Sequence, residues 1–87
     1  MIRSFRHKGL REFFEIGSKR GVTPDLAARI GRRLDALHAA QELTDIDAHG
    51  FNLHRLKGNR AGEWAIWVSG NWRITFRFVK AKSMILI

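Results

Sequence analysis

The sequence predicts an α+β fold, two N-terminal helices packed on a small antiparallel sheet. Three observations carry this reading. Apolar residues recur at helical spacing between residues 7 and 41, the period drops to two after Gly50, and Gly70-Asn71 separates two alternating runs as a hairpin signal. At 87 residues, 45% hydrophobic and 28% charged, the chain is ordinary for a globular fold and is read as one domain over 1–87. It has no cysteine, which excludes a disulfide scaffold and a thiolate metal site. No apolar run is long enough for a membrane span, and no signal-peptide stretch follows Met1. The expectation is a cytoplasmic protein with no membrane partner.

Ile2 and Phe5, with Arg3 and Ser4 between them, suit a short opening strand. Leu10, Phe13, Phe14 and Gly17 fall at i, i+3, i+4 and i+7, which predicts an amphipathic helix from about His7 to Ile16. The segment from Gly17 to Gly21 breaks it. A second helix is read from about Pro24 to Gln41, with Thr23 as N-cap and Pro24 at the first position, where its missing N–H costs nothing. Leu26, Ile30, Leu34 and Leu37 form its apolar stripe, and Arg29, Arg32 and Arg33 are expected to point away from it. Gly31 costs roughly 1 kcal/mol against alanine in mid-helix, which a close approach of the two helices would explain. The pair is read as an antiparallel hairpin.

Beyond Gly50, Phe51 to Leu56 reads as a strand ending at the Lys57-Gly58-Asn59-Arg60 turn. From Glu63 to Ser69, Trp64, Ile66 and Val68 share one face while Ala65 and Trp67 share the other. Trp72 to Val79 alternates again, with Trp72, Ile74, Phe76 and Phe78 inward and Arg73, Thr75 and Arg77 outward. Ser83 to Ile87 closes the chain as a last apolar strand. The expected order is β-α-α-β-β-β-β.

Charge is the informative quantity. Sixteen Lys and Arg against eight Asp and Glu leave a net charge of +8, unevenly placed. Residues 1–33 hold nine bases and three acids, residues 34–53 hold four acids and no base, and residues 54–87 hold seven bases against Glu63 alone. Two basic stretches thus flank an acidic hinge. Such an excess predicts a polyanionic partner: nucleic acid, a ribosome, an anionic membrane or an acidic protein.

His54, Lys57 and Arg73 are the residues that could assemble a site on the sheet, with Arg55, Arg60 and Arg77 near them in sequence. Arginine offers a planar fork to phosphate, and lysine adds a mobile point charge. Cleavage of RNA by its own 2′-hydroxyl needs a base for that hydroxyl, cations for the charge on the phosphorane and an acid for the leaving 5′-oxygen. Histidine titrates in the range such proton transfers require. The ordinary reading stands beside this one: a surface or hydrogen-bonded strand histidine, a solvated Arg73–Arg77 face, and Trp64, Trp67, Trp72, Phe76 and Phe78 as core rather than a base-stacking platform. Of these, Trp67 faces the opposite side from the rest and could stack. His7, His38, His49 and His54 lack the paired spacing of metal ligands, so no metal or cofactor is expected. His38, one residue off its helix stripe, is read as structural.

The run from Met1 to Leu10, the Leu53-His54-Arg55-Leu56-Lys57-Gly58 segment and the stretch from Trp64 through Ser69-Gly70-Asn71-Trp72-Arg73-Ile74-Thr75-Phe76-Arg77-Phe78 resemble the HigB toxins of bacterial type II toxin–antitoxin systems, members of the RelE/ParE superfamily. The resemblance implies a single toxin domain that cuts mRNA on the ribosome. It implies a HigA-like helix-turn-helix antitoxin as partner, with operator DNA met only through the toxin–antitoxin complex. Carried over by residue, the family's strand histidine, the lysine of its Leu-Lys-Gly turn and the arginine of its Asn-Trp-Arg hairpin are His54, Lys57 and Arg73. Arg55, Arg60, Arg77, Lys8 and Arg11 are the basic groups expected to hold RNA and ribosome. Chains of this family usually continue into a tail close to Tyr-Glu-Asp-Tyr-His that contributes to catalysis. Here the sequence stops at Ile87 and contains no tyrosine, so impaired cleavage is expected. A ParE-like gyrase poison and a non-catalytic nucleic-acid- or antitoxin-binding module are the alternatives.

Overall fold

A computed structural model describes residues 1–80 and 84–87. Ile2–Ser4 form β1, and Lys8–Ile16 form α1, opened by His7, whose Nδ1 accepts the Leu10 N–H at 3.1 Å. Gly17 ends α1 in the left-handed region, φ 73°, where its N–H and that of Ser18 close the last turn on Phe13 and Glu12 carbonyls. The next segment returns so close to α1 that a Cβ on Gly9 would lie 2.5 Å from the Gly21 carbonyl oxygen. Glycine is required there by contact, not by dihedral.

Pro24–Leu26 form a 3₁₀ turn, and α2 proper runs over Ala27–Ala39; Thr23 makes no side-chain cap bond. Leu34 and Leu37 are buried as the stripe requires. Gly31 faces the Phe13 ring, 3.7 Å from where a Cβ would stand, so α1 does approach α2 at that point. Arg33 departs from expectation. It is only 8% exposed, because its position lies beside Ile30 and Leu37 on the helix and its stem joins their face.

Three further differences concern the architecture. The acidic stretch expected as a hinge contains a third helix, α3, Leu43–Asp47. Glu42 and Asp45 form a reciprocal capping box there, and Ile46 is completely buried. The sheet is mixed rather than antiparallel, in the order β1-β5-β4-β3-β2. In it β2 is His54–Arg55, β3 Trp64–Ser69, β4 Trp72–Val79 and β5 Met84–Leu86. β1 runs parallel to β5, Ile2 opposite Ile85, while the other pairings are antiparallel. The strand expected over Phe51–Leu56 shrinks to two residues because Asn52 turns left-handed at φ 56°. Lys82 and Ser83, the latter expected to open the last strand, lie outside the described residues.

The helices cover one sheet face. Ile66, Phe76 and Ile85 meet Leu34, Leu37 and Ile46 in the core, all of them 0 or 1% exposed. Trp72, expected inward, is 60% exposed. It begins β4 at the hairpin, beside a register slip between Trp67 and Ser69, and lines a groove with Val22 and Leu26 instead of entering the core. His38 is structural, as read: its Nδ1 accepts the Ile2 N–H at 3.1 Å and its ring packs on Phe14. Among the described residues no helix is long and apolar enough to cross a membrane.

Candidate nucleic-acid interface

Alternation along β4 puts Ile74 and Phe76 in the core and Arg73, Thr75 and Arg77 on the opposite, outer face. Register extends that face across the sheet. Trp67 of β3 stands opposite Arg73, Ala65 stands opposite Thr75, and His54 of β2 stands opposite Ala65. His54 is therefore two strands from Thr75, roughly 10 Å at the usual strand spacing. The Nδ1 of His54 lies 2.8 Å from the Asn52 carbonyl oxygen. A carbonyl can only accept, so Nδ1 carries a proton, and in the neutral ring Nε2 is the nitrogen with the lone pair. That is the tautomer a general base needs.

The turn before β3 adds a second group. Arg60 ends the 3₁₀ turn Gly58–Arg60 and donates from Nη2 to the Thr75 hydroxyl at 2.9 Å and to Glu63 Oε1 at 3.0 Å. Arg6, just after β1, donates from Nη2 to the same Oε1 at 3.1 Å. Glu63 is buried, yet the hydrogen bond from Arg60 holds its carboxyl below the usual carboxylate range. Burial opposes that shift, and the charges of Arg60 and Arg6 reinforce it. Arg6, His7, Arg60, Arg73, Thr75 and Ile87 surround a hollow of about 400 Å³.

The structure thus brings Arg73 and Arg60 together and sets His54 and Arg77 on their face. Lys57, exposed, precedes the 3₁₀ turn and does not line the hollow. Arg55 does not join this set. Its neighbour His54 faces outward, so Arg55 faces the other way, with its guanidinium 5.4 Å from the Trp64 ring centroid. Lys8 and Arg11 lie on α1 in i,i+4 pairs with Glu12 and Glu15 at 3.8 and 3.9 Å, and neither lines the hollow.

Sequence reasoning passed over Arg6, Glu63 and Arg33. Arg6 and Glu63 are 57 residues apart, and no local pattern joins them. Arg33 donates from Nε to the Trp67 carbonyl at 2.7 Å and stands 4.4 Å above the Phe51 ring. Burial first, and then the charges of Arg32 and Arg29, weaken its hold on the proton. It ties α2 to the strand that carries Trp67.

A family model described as a RelE-like toxin of the type II toxin–antitoxin system HigB matches residues 3–86. The endoribonuclease HigB of Proteus vulgaris is 45% identical over 86 residues, covering 99% of this chain and 94% of that relative.

Proposed function

The chain belongs to the HigB-like family of RelE-like toxins of type II toxin–antitoxin systems, and from that premise we propose that it is an endoribonuclease that cuts mRNA on the ribosome. Residues 1–87 are read as one RelE/ParE-like toxin domain. The observation that carries the chemistry is the shared outer face of the sheet, on which His54, its Nδ1 bonded to the Asn52 carbonyl, and Arg73 stand two strands apart.

In this reading His54 Nε2 takes the proton of the 2′-hydroxyl. The freed O2′ attacks phosphorus, the P–O5′ bond breaks, and O5′ takes up a proton from water. The products are a 2′,3′-cyclic phosphate and a 5′-hydroxyl. Arg73 meets the charge that grows on the phosphorane oxygens, and Lys57 adds a mobile cation beside the β2 strand. Arg60 and Arg77 hold flanking phosphates. Proton transfer and charge stabilisation are thereby divided between residues whose chemistry suits each task.

Membership of a type II system implies an antitoxin. We take it to be a HigA-like helix-turn-helix protein with an acidic toxin-binding surface, matched to the +8 charge, and operator DNA to be reached only through the complex. The working compartment is the cytoplasm, where ribosomes and mRNA are. A translation reaction with end-labelled mRNA tests the reading. Cuts that appear with ribosomes and vanish without them are expected; cuts at equal rate on naked mRNA would overturn ribosome dependence, and no cuts in either would overturn the activity.

A further inference from the structure

We propose that Arg6, Arg60 and Arg73 form a seat for an RNA backbone phosphodiester, with Glu63 as the residue that positions two of them. The proposal rests on the ribonuclease reading and adds Arg6 and Glu63 to the residues named there. Three arginines line one hollow of about 400 Å³, and the Glu63 carboxylate behind it accepts from two of them. Among these side chains three cations meet one carboxylate, so positive charge is in excess.

The arrangement of exposure shows how the hollow is built. The Glu63 side chain is 8% exposed, whereas those of Arg6 and Arg60 are 72% and 50% exposed. The acid lies buried beneath the two bases, and the bases form the rim. Oε1 of Glu63 accepts from Nη2 of both arginines, so one buried atom fixes two rim cations at 3.1 and 3.0 Å. Each guanidinium has five N–H donors and spends few of them on this contact. Arg60 makes one further donation, to the Thr75 hydroxyl, and the exposure of both side chains leaves donors open to solvent.

Like charges gathered this closely repel unless an anion joins them. Arginine forks match phosphate and carboxylate oxygens alike in a bidentate manner, so one further feature decides for a nucleic acid over an acidic protein as that anion. Beside Arg73 on the same face lies Trp67, 41% exposed, its indole N–H fixed to the Gly70 carbonyl at 2.9 Å and its ring open to stacking. A cationic track beside an open aromatic ring suits single-stranded RNA.

The test is binding of a short fluorescent 2′-O-methyl RNA, which cannot be cleaved because its attacking hydroxyl is blocked, followed by anisotropy between 50 and 200 mM salt. Each lost phosphate contact lowers the salt slope by about 0.7 for a single strand, so the weakening across that range shrinks about 2.6-fold per contact. Arg6→Ala and Arg60→Ala are expected to show this, and Arg32→Ala, an exposed cation remote from the hollow, is expected to leave the slope unchanged. Glu63→Leu raises net charge by one, so charge alone demands tighter binding; the positioning role demands weaker binding and a lower slope. Equal slopes for Arg6→Ala and Arg32→Ala, tighter binding by Glu63→Leu, or no RNA binding by the parent overturns the seat. Displacement of the RNA by poly-glutamate as readily as by RNA overturns it in favour of a protein partner. Should Glu63→Leu fail to fold, Arg6→Ala decides, since that exposed side chain lies outside the core. Cleavage is not read here, so the seat can fail while the ribosome assay stands.

Discussion

Arg33 offers the sharpest test of how the helices are held to the sheet. It is a buried guanidinium with no carboxylate partner among the described residues: its Nε donates to the Trp67 carbonyl at 2.7 Å, its Nη1 donates to the Arg29 carbonyl at 3.1 Å, and Phe51 lies 4.4 Å beneath it. The Arg29 contact is internal to α2, so the tie to the rest of the fold is the Trp67 bond and the ring. A hydrogen bond from a charged donor contributes about 1.5–3 kcal/mol net. The ring contact adds about 0.5–1 kcal/mol. Arg33→Ala is therefore expected to cost about 3 kcal/mol, or about 12–24 °C in thermal midpoint for a domain of this size. Arg33→Met should recover at least half of this, because it refills the stem volume and buries no charge. Reversible thermal unfolding followed by circular dichroism measures both variants. A drop of less than about 4 °C for Arg33→Ala would refute the idea that this guanidinium joins α2 to β3.

Three further outcomes follow from the same contacts. Arg73→Ala should lower ribosome-dependent cleavage by about 10²–10³ while leaving the thermal midpoint near that of the parent, because the side chain is exposed and, in the proposed reading, acts on developing charge; cleavage at the parent's rate in single-turnover assays would remove its role. Glu63, its carboxyl held low in the fold, contributes stability that is present above its ordinary value of 4.5 and is lost as pH falls through the folded value. The urea midpoint of the parent should thus fall more steeply from about pH 6 to about pH 3 than that of Glu63→Gln, and parallel slopes would contradict the linkage. Gly9→Ala should cost about 1–3 kcal/mol, since its new Cβ meets a backbone oxygen that has no rotamer to escape by; an unchanged midpoint in thermal unfolding would show that the Gly21 segment yields freely.

What could be read from the chain, and what could not, divides along the range of the interactions involved. The outward facing of Arg73, Thr75 and Arg77 was legible because β4 is eight residues of uninterrupted alternation, and period two needs no partner to be seen. Arg55 was misplaced for the same physical reason: adjacency in a strand means opposite faces, so a basic residue beside His54 is the one that cannot share its side. The helix over Leu43–Asp47 had a local signal in the Glu42–Asp45 spacing, which the density of acids disguised as a hinge. Arg33 was read as solvent-facing from its charge, although helical geometry put it beside Ile30 and Leu37; a long stem lets a cation cross an apolar face to a carbonyl on the sheet. The parallel pairing of β1 with β5 and the bond from Arg6 to Glu63 join distant parts of the chain, and no periodicity records them. Both act on the same place. The pairing holds the N-terminal strand against β5, the Arg6 N–H donates to the Ile87 carbonyl at 2.8 Å, and the Arg6 side chain is thereby delivered to the hollow beside Arg73. In the proposed ribonuclease reading the surplus of positive charge sets the class of partner, and the long-range pairing decides which of those charges meet it together.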